Sequence, residues 1–536
     1  MIQDIDYWAI AAPLILALVA GLVLLLDAFL PRRAQVRTLL GMVTLAGVLA
    51  ALGVVVAQAV RGDQIGTFCV PGGACSFVVD TYTLLLAGLA LAAGAVVVLL
   101  SMGELAGGRI PVGEWHFLLL AALTGAVLLP ASRDLIMLVV ALELVSLPVF
   151  ALTALRRYDG RASEAALKLF VVSVVSTAIM LFGVSLLYGI TGTVHLEHIA
   201  TALITGTGLT IADGAAVLTV AVVLVVAGFA FKVAAVPFHF WAGDVYEGAP
   251  VPVAALLSVV SKAAGFAGLI LMLTHGLASE TATWAPLVAV IAALTMTAGN
   301  VLALRQHHPV RLLAWSSVAQ SGYILAPLAA HLDLASALKA ATPTDTETMV
   351  ASLPSPSPGT TDSTGNALVI VKDQAMDLGQ VAGSPLAVQA SLAYLVFYAA
   401  MNILAFSVVM LVSRDRGDLD DYRGLIRRSP VLGLALAFAL ICLAGLPPGL
   451  AGLFAKVAVF REVVFGGLGW LAVVMAVNTV IGLFYYLSWA ARLFAPGESR
   501  AAERPGRTPV LVAVGAALLV TVAFSAVPQL VFFTIS

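Results

Sequence analysis

Charge is what this sequence has least of. Only 10% of its 536 residues are Asp, Glu, Lys or Arg, where a soluble globular chain carries roughly a quarter. That shortage excludes a soluble fold, and with 61% apolar residues and a mean hydropathy of +1.06 it makes lipid the solvent. Neither sign of charge dominates: 27 basic and 29 acidic residues leave −2, which provides no general attraction to nucleic acid. Cysteine is scarce too. Three cysteines cannot frame a fold, although Cys69 and Cys75, six apart in one short polar loop, can pair if that loop faces an oxidising compartment. Cys442, in an apolar run, reads as a small buried hydrophobe. Also missing are a GxGxxG following a strand, a P-loop and any haem or cluster ligand set, so no redox centre is identifiable. His195 and His198 have loose metal spacing, but no cysteine or carboxylate set completes a site, and they read as surface histidines. His307 and His308, ending an internal loop, read as interfacial. The first apolar run is long and has no basic N-terminal region, which argues against a cleavable signal peptide.

What is present is a series of apolar runs about twenty residues long, the length a helix needs to cross roughly 30 Å of hydrocarbon. In lipid every backbone polar group must be paired within the chain, so runs of this length predict helices, not alternating barrel strands. Fourteen spans are expected, near 8–30, 38–60, 78–101, 115–131, 134–155, 164–190, 215–241, 252–275, 284–304, 311–331, 388–412, 430–464, 467–492 and 508–534. The fold class is an all-α polytopic membrane protein. Loops after odd-numbered spans hold eighteen basic residues and loops after even-numbered spans hold five. The positive-inside rule then places the odd loops in the cytoplasm and both termini outside. Residues 332–387, rich in Ser, Thr and Pro, cannot bury a core; they are expected to form an external loop, with a hinge between two functional halves as the alternative.

Four basic residues remain, and all lie inside apolar spans: Lys168, Lys232, Lys262 and Lys456. An ionisable group at mid-bilayer costs several kcal/mol unless paired or hydrated, so each is a functional candidate. Lys168 is the weakest, because it lies about 8 Å from a span end and can snorkel to the interface. Lys232 sits midway along span 7, followed by Pro237, which removes a backbone hydrogen bond and opens the helix. His239, seven residues further on, is expected on the same helical face as Lys232. Lys262 lies mid-span with Ser258 one turn before it. Lys456 follows Pro447, Pro448 and Gly449 in a run too long for one regular span, so span 12 is expected to be broken as well. The only acid comparably deep is Glu143, about 15 and 20 Å from the ends of its span. A Glu143–Lys232 pair can stay ionised when closed and release a proton from the lysine when separated. The competing reading is that these charges only hold helices together. Asp244 and Glu247, in an acidic cytoplasmic loop, either gather protons at a funnel mouth or pair with arginines of adjacent loops.

The motifs themselves are familiar. FKVAAVPFHFWAGDVYEGAPVPVAALLSVVSK, from Phe231 to Lys262, closely resembles the signature of the antiporter-like membrane subunits of respiratory complex I. These are relatives of multisubunit cation/proton antiporter subunits. Within that family EAALKLFVVSVVSTAIMLFGVSLLYGITGT, from Glu164 to Thr193, looks most like the subunit N group, and ELVSLPVFAL, RLLAWSSVAQSGY and GLPPGLAGLFAKVAVF are further matches. The resemblance covers nearly all of the chain apart from 332–387. It implies N-terminal helices 1–3 in residues 1–114, two inverted five-helix repeats in 115–275 and 284–492 with broken helices 7 and 12, and a C-terminal helix in 508–536. It carries a modulating glutamate onto Glu143, axial lysines onto Lys232 and Lys262 and an exit lysine onto Lys456. One departure is Gln320, where the family often has histidine; an amide hydrogen-bonds water but does not titrate. Another is WAGD after Trp241, in place of a proline-containing turn.

The resemblance implies a proton-translocating subunit of a bacterial NADH:quinone oxidoreductase in the cytoplasmic membrane. NADH, FMN, iron–sulfur clusters and quinone would belong to partner subunits. A sodium/proton antiporter subunit and a non-pumping scaffold of the membrane arm are the alternatives.

Overall fold

The computed structural model describes residues 5–535 apart from 32, 72, 109, 157, 206–213, 331–384, 413–416 and 498–506. It is a bundle of membrane-length helices. In order they are α1 (Ala11–Phe29), α2 (Ala34–Arg61), α3 (Thr81–Leu105), α4 (Val112–Ala131), α5 (Leu135–Ala154), α6 (Gly160–Thr191), the short α7 (Leu196–Thr205) and α8 (Gly214–Lys232). Next come α9 (Trp241–Gly248), α10 (Val251–Gly276), α11 (Thr281–Ala303), α12 (Pro309–Ala329), α13 (Pro385–Val412) and the single turn α14 (Leu425–Arg428). The chain closes with α15 (Pro430–Ala444), α16 (Leu450–Phe465), α17 (Gly469–Phe494), α18 (Arg507–Ala526) and the short α19 (Gln529–Ile535). Aspartates start several of these helices by accepting from free backbone N–H groups: Asp80 from Thr83, Asp134 from Met137, and Asp159 from Arg161 and Ala162.

Twelve of the described helices are long and apolar enough to cross a membrane, two fewer than the fourteen spans expected. The other two have identifiable causes. Helix α12 is 21 residues long, but Ser316, Ser317, Gln320 and Ser321 dilute its apolar character. It can carry them because every residue from Pro309 to Ala329 except Arg311 is buried among other helices. The twelfth expected span is two half-helices, α15 and α16, parted by Gly445–Gly449. Each half is too short to cross alone.

Span 7 is interrupted more sharply than its sequence suggested. Helix α8 ends at Lys232, residues 233–240 form turns, and the chain resumes as α9. The 3.6-residue period therefore does not extend to His239, and the expectation that it shares a face with Lys232 is incorrect. Its ring instead packs edge-on against Trp315 at 5.9 Å. Asp244 and Glu247 fall on helix α9, not in a loop.

Between α2 and α3 a two-stranded hairpin, β1 (Ile65–Cys69) and β2 (Cys75–Val79), runs in the register Ile65↔Val79 and Cys69↔Cys75. Cys69 and Cys75 form a disulfide across it. Of the 332–387 stretch, 332–384 lie outside the described residues, and 385–387 already belong to α13. The most enclosed spans are α10 and α13, as expected of helices apolar all round. Helix α13 packs against α3, α12, α15, α16 and α18, which puts the interior between the two broken helices.

Candidate functional site: a line of buried lysines

Each of the three mid-membrane lysines meets a different kind of partner. Lys232 is the last residue of α8, so its side chain leaves the helix where the backbone turns away. Its Nζ lies 3.0 Å from Glu143 Oε1, donates to Ser146 Oγ at 2.8 Å and to Ser173 Oγ at 3.3 Å. Glu143 Oε1 also accepts from Thr177 Oγ1 at 2.8 Å. Glu143 and Ser146 are three apart on α5, and Ser173 and Thr177 four apart on α6. Each pair therefore presents two polar groups on one helical face, and together they solvate the ion pair in place of water.

The break after Lys232 is satisfied internally, as a lipid-embedded backbone must be. Val236 N–H donates to Thr295 Oγ1 at 2.9 Å, and the Val233 carbonyl accepts from Ser321 Oγ at 2.7 Å. Helix α10 approaches this turn closely. A Cβ on Gly265 would stand 3.2 Å from the Lys232 backbone, so the glycine, three residues beyond Lys262, lets the two lysine-bearing segments touch.

Lys262 follows a π-helical turn, Leu257–Ser261. Its Nζ donates to both the carbonyl and the hydroxyl of Ser317 at 2.5 Å, and it lies 5.4 Å from the Tyr398 ring. Tyr398 in turn donates to Ser317 Oγ at 2.7 Å and accepts from Asn402 at 2.9 Å. Ser258 does not reach Lys262: its hydroxyl bonds to its own helix at the Ala255 carbonyl.

Lys456 reaches back across the second break. Its Nζ donates to the Ala444 carbonyl at 2.6 Å and lies 5.6 Å from the Tyr323 ring. Ala444 ends α15, so its carbonyl is one of the orphan acceptors at the negative end of a half-helix. The next residue, Gly445, has φ +80°, and a Cβ there would stand 2.9 Å from Lys456 Cδ. Only glycine suits both demands. Pro447 and Pro448 occupy the turn itself, as Pro237 does in the first break. Among the described residues, no carboxylate pairs with Lys262 or Lys456.

Between these two lysines stands a hydroxyl and amide cluster of which sequence reasoning singled out only Gln320. Gln320 accepts from Tyr394 Oη and donates to Tyr486 Oη at 3.1 Å, and Tyr486 Oη is 2.5 Å from Ser316 Oγ. Tyr394 stacks on Tyr323, with ring centroids 5.9 Å apart, and so leads to the ring beside Lys456. The available signal was the four-residue spacing of Tyr394, Tyr398 and Asn402 along an otherwise apolar span. Ser146, Ser173 and Thr177 were likewise passed over, because Ser and Thr are ordinary in membrane helices.

The fourth lysine belongs elsewhere. Lys168 is 44% exposed in its side chain and pairs with Glu164 at 2.7 Å and Asp244 at 2.9 Å. Arg311 pairs with the same Asp244 at 3.0 Å and with Glu247 at 2.8 Å. Of the two readings of that acidic segment, pairing with basic residues of neighbouring elements is what the structure contains. Among the described residues, no group of three or more His, Cys, Asp or Glu stands close enough to hold a metal ion.

The model of a family described as NADH:quinone oxidoreductase/Mrp antiporter, TM, matches residues 132–341 and 376–482. An NADH-quinone oxidoreductase subunit N 2 of Streptomyces griseus is 45% identical, covering 99% of this chain and 93% of that one. A subunit N of Salinispora tropica is 42% identical over 92% of this chain and 86% of its own. Among solved structures, a chain of respiratory complex I from Thermus thermophilus with bound aureothin superposes with a TM-score of 0.71 at 29% identity, covering 98% and 99% of the two chains. A chain of the Mrp complex from Dietzia, at TM-score 0.75 and 19% identity over 97% and 95%, shares the fold.

Proposed function

The chain belongs to the NADH:quinone oxidoreductase/Mrp antiporter membrane family, and from that premise we propose that its buried lysines carry protons across the bilayer. It is a proton-translocating membrane subunit of NADH:quinone oxidoreductase. Electron transfer from NADH to quinone, with FMN and iron–sulfur clusters, belongs to partner subunits, while this chain lies in the bacterial cytoplasmic membrane. Both termini of this chain face outside, which puts the Cys69–Cys75 hairpin on the oxidising side.

Protons enter from the cytoplasmic side to Lys232 and Lys262 and leave through Lys456. Glu143 sets whether Lys232 holds its proton: contact at 3.0 Å favours the ammonium, and separation in so dry a site favours the free amine. The Gln320, Tyr394 and Tyr486 cluster, together with water, bridges Lys262 to Lys456. Residues 115–275 and 284–492 act as two inverted repeats, each contributing one broken helix, with 1–114 and 508–536 flanking them.

The observation that carries this reading is the trio of enclosed lysines, two beside helix breaks and, among the described residues, only one with a carboxylate partner. A scaffold would pair its charges; two of these are left to carbonyls and hydroxyls. The test is proton translocation per NADH oxidised in inverted membrane vesicles bearing Lys232→Ala or Lys456→Ala. Unchanged pumping in either variant would remove that lysine from the path. A sodium/proton exchange reading is favoured by the family's inclusion of the Mrp antiporter and by the shared fold of the Mrp complex. Proteoliposomes of the complex in sodium-free buffer separate the two, since an obligate exchanger stops there.

A further inference from the structure

One cavity among the described residues lies away from the lysines. It is a groove of about 1250 Å³, open on one side, between α2 and α3 on one wall and α13, α18 and α19 on the other. That exceeds the roughly 300–1,000 Å³ of a drug-sized ligand site. Along α3 the lining runs from Thr81 to Leu99, roughly 27 Å of helix at 1.5 Å per residue, most of the ~30 Å hydrocarbon thickness. Aliphatic side chains make up most of its lining, with Phe524 and Thr534 among them, and Asp63, Gln64, Asp80 and Thr81 close it at the hairpin end. Most of its wall lies outside the two stretches that match the family model; only Val396, Ala399, Ala400 and Ile403 fall within them. The groove is therefore a feature of this chain's flanking helices, not of the shared translocation body.

Acyl chains gain little by leaving bilayer for such a groove, because lipid tails are as apolar as its wall. What selects an occupant is the polar end. No lysine or arginine lines it. The Asp80 carboxylate is already bound by Arg133 at 2.6 Å and caps α3. Asp63 is exposed and has no partner among the described residues. A free carboxylate and the Gln64 amide suit a cationic amine, whereas the first turn of α3 is already answered by the Asp80 cap. A wholly anionic headgroup would meet Asp63 unfavourably.

We propose that this groove is a specific site for one amine-headed phospholipid of the outer leaflet, held by its headgroup at Asp63 and Gln64 and by its acyl chains between α2, α3, α13 and α18. The site stands independently of the proton path.

The test uses the intact complex in native membranes, labelled with photoactivatable phosphatidylethanolamine and, in parallel, with photoactivatable phosphatidylglycerol. Crosslinked peptides are mapped by mass spectrometry. Phosphatidylethanolamine is expected on α2 and α3 at several times the yield of phosphatidylglycerol. The groove-filling pair Gly88→Leu with Ala92→Phe, one turn apart on the open face, should abolish that label while subunit composition and pumping stay normal. Asp63→Asn should remove the preference between the two lipids without removing the label. Equal labelling by both lipids in the unaltered complex, or labelling indifferent to groove filling, would mean only annular lipid and overturns the proposal. So does loss of a neighbouring subunit from the groove-filled complex, which would make the groove a protein interface.

Discussion

The two helix breaks solve one problem in two ways. Each interrupts a membrane helix with proline and places a lysine beside the gap. At the first, Lys232 is the final residue of its half-helix and reaches a carboxylate and two hydroxyls on neighbouring helices. At the second, Lys456 sits in the half-helix after the gap and reaches back to the Ala444 carbonyl that ends the half before it. A carboxylate partner is a full charge on a movable side chain, whereas a helix-end carbonyl is a partial charge on fixed backbone, about half an elementary charge summed over the terminus. The first site can therefore be switched by moving Glu143. The second can only be filled or emptied.

Several variants would break or sharpen that contrast. The largest effect is expected from Lys232→Ala, which should lower protons pumped per NADH by about a hundredfold, the low side of what a positioned proton-transfer group contributes. The double variant Glu143→Leu with Lys232→Met should assemble normally yet stay inactive. If it restores pumping, the pair is structural only. Glu143→Gln is next. It leaves Lys232 with neutral acceptors alone and loses much of a pairing whose removal costs roughly 3–5 kcal/mol in a buried setting. A severalfold loss of pumping with the complex intact on native gels is expected, and a loss no larger than that of a peripheral variant would erase the distinction between the two sites.

Gly445→Ala should act at the second break alone. It forces an L side chain into φ +80° and against Lys456, a strain of roughly 1–3 kcal/mol, read as lower thermal stability and reduced pumping. Gly265→Ala, with φ in the ordinary range and contacts at 3.2 Å, should cost less. The smallest effects belong to the bridge. Tyr394→Phe or Gln320→Leu each removes membrane hydrogen bonds worth about 0.6 kcal/mol apiece, so pumping should fall about twofold to threefold. Gln320→His, which restores a titratable ring, should recover or exceed the unaltered rate. If Tyr394→Phe with Gln320→Leu together leaves pumping unchanged, protons pass between Lys262 and Lys456 by another way.

The spans, both breaks and the four lysines were legible in the sequence because each is a local departure from apolar monotony. Lys232 and Lys456 stand out, and proline marks the gap beside each. Glu143 was legible as a partner because no other acid lies as deep. His239 was misplaced for a specific reason: a helical period was extended past Lys232, where the helix has already ended. Ser146, Ser173, Thr177 and Tyr394 were not legible as a group, since they come from three helices and each alone is unremarkable in a membrane span. The shortfall at α12 has the same origin. Its serines and Gln320 read as poor membrane residues until the surrounding helices are seen to enclose them.

Scarcity of charge, by itself, determined that this protein lives in lipid and which few residues cannot be there for solubility. Those are consequences of transfer free energy along one chain, and no folding is needed to state them. The tertiary structure alone decided who answers each lysine: a carboxylate for Lys232, a serine for Lys262, a helix end for Lys456. Partners are set by which helix faces meet, and that depends on packing between segments far apart in sequence.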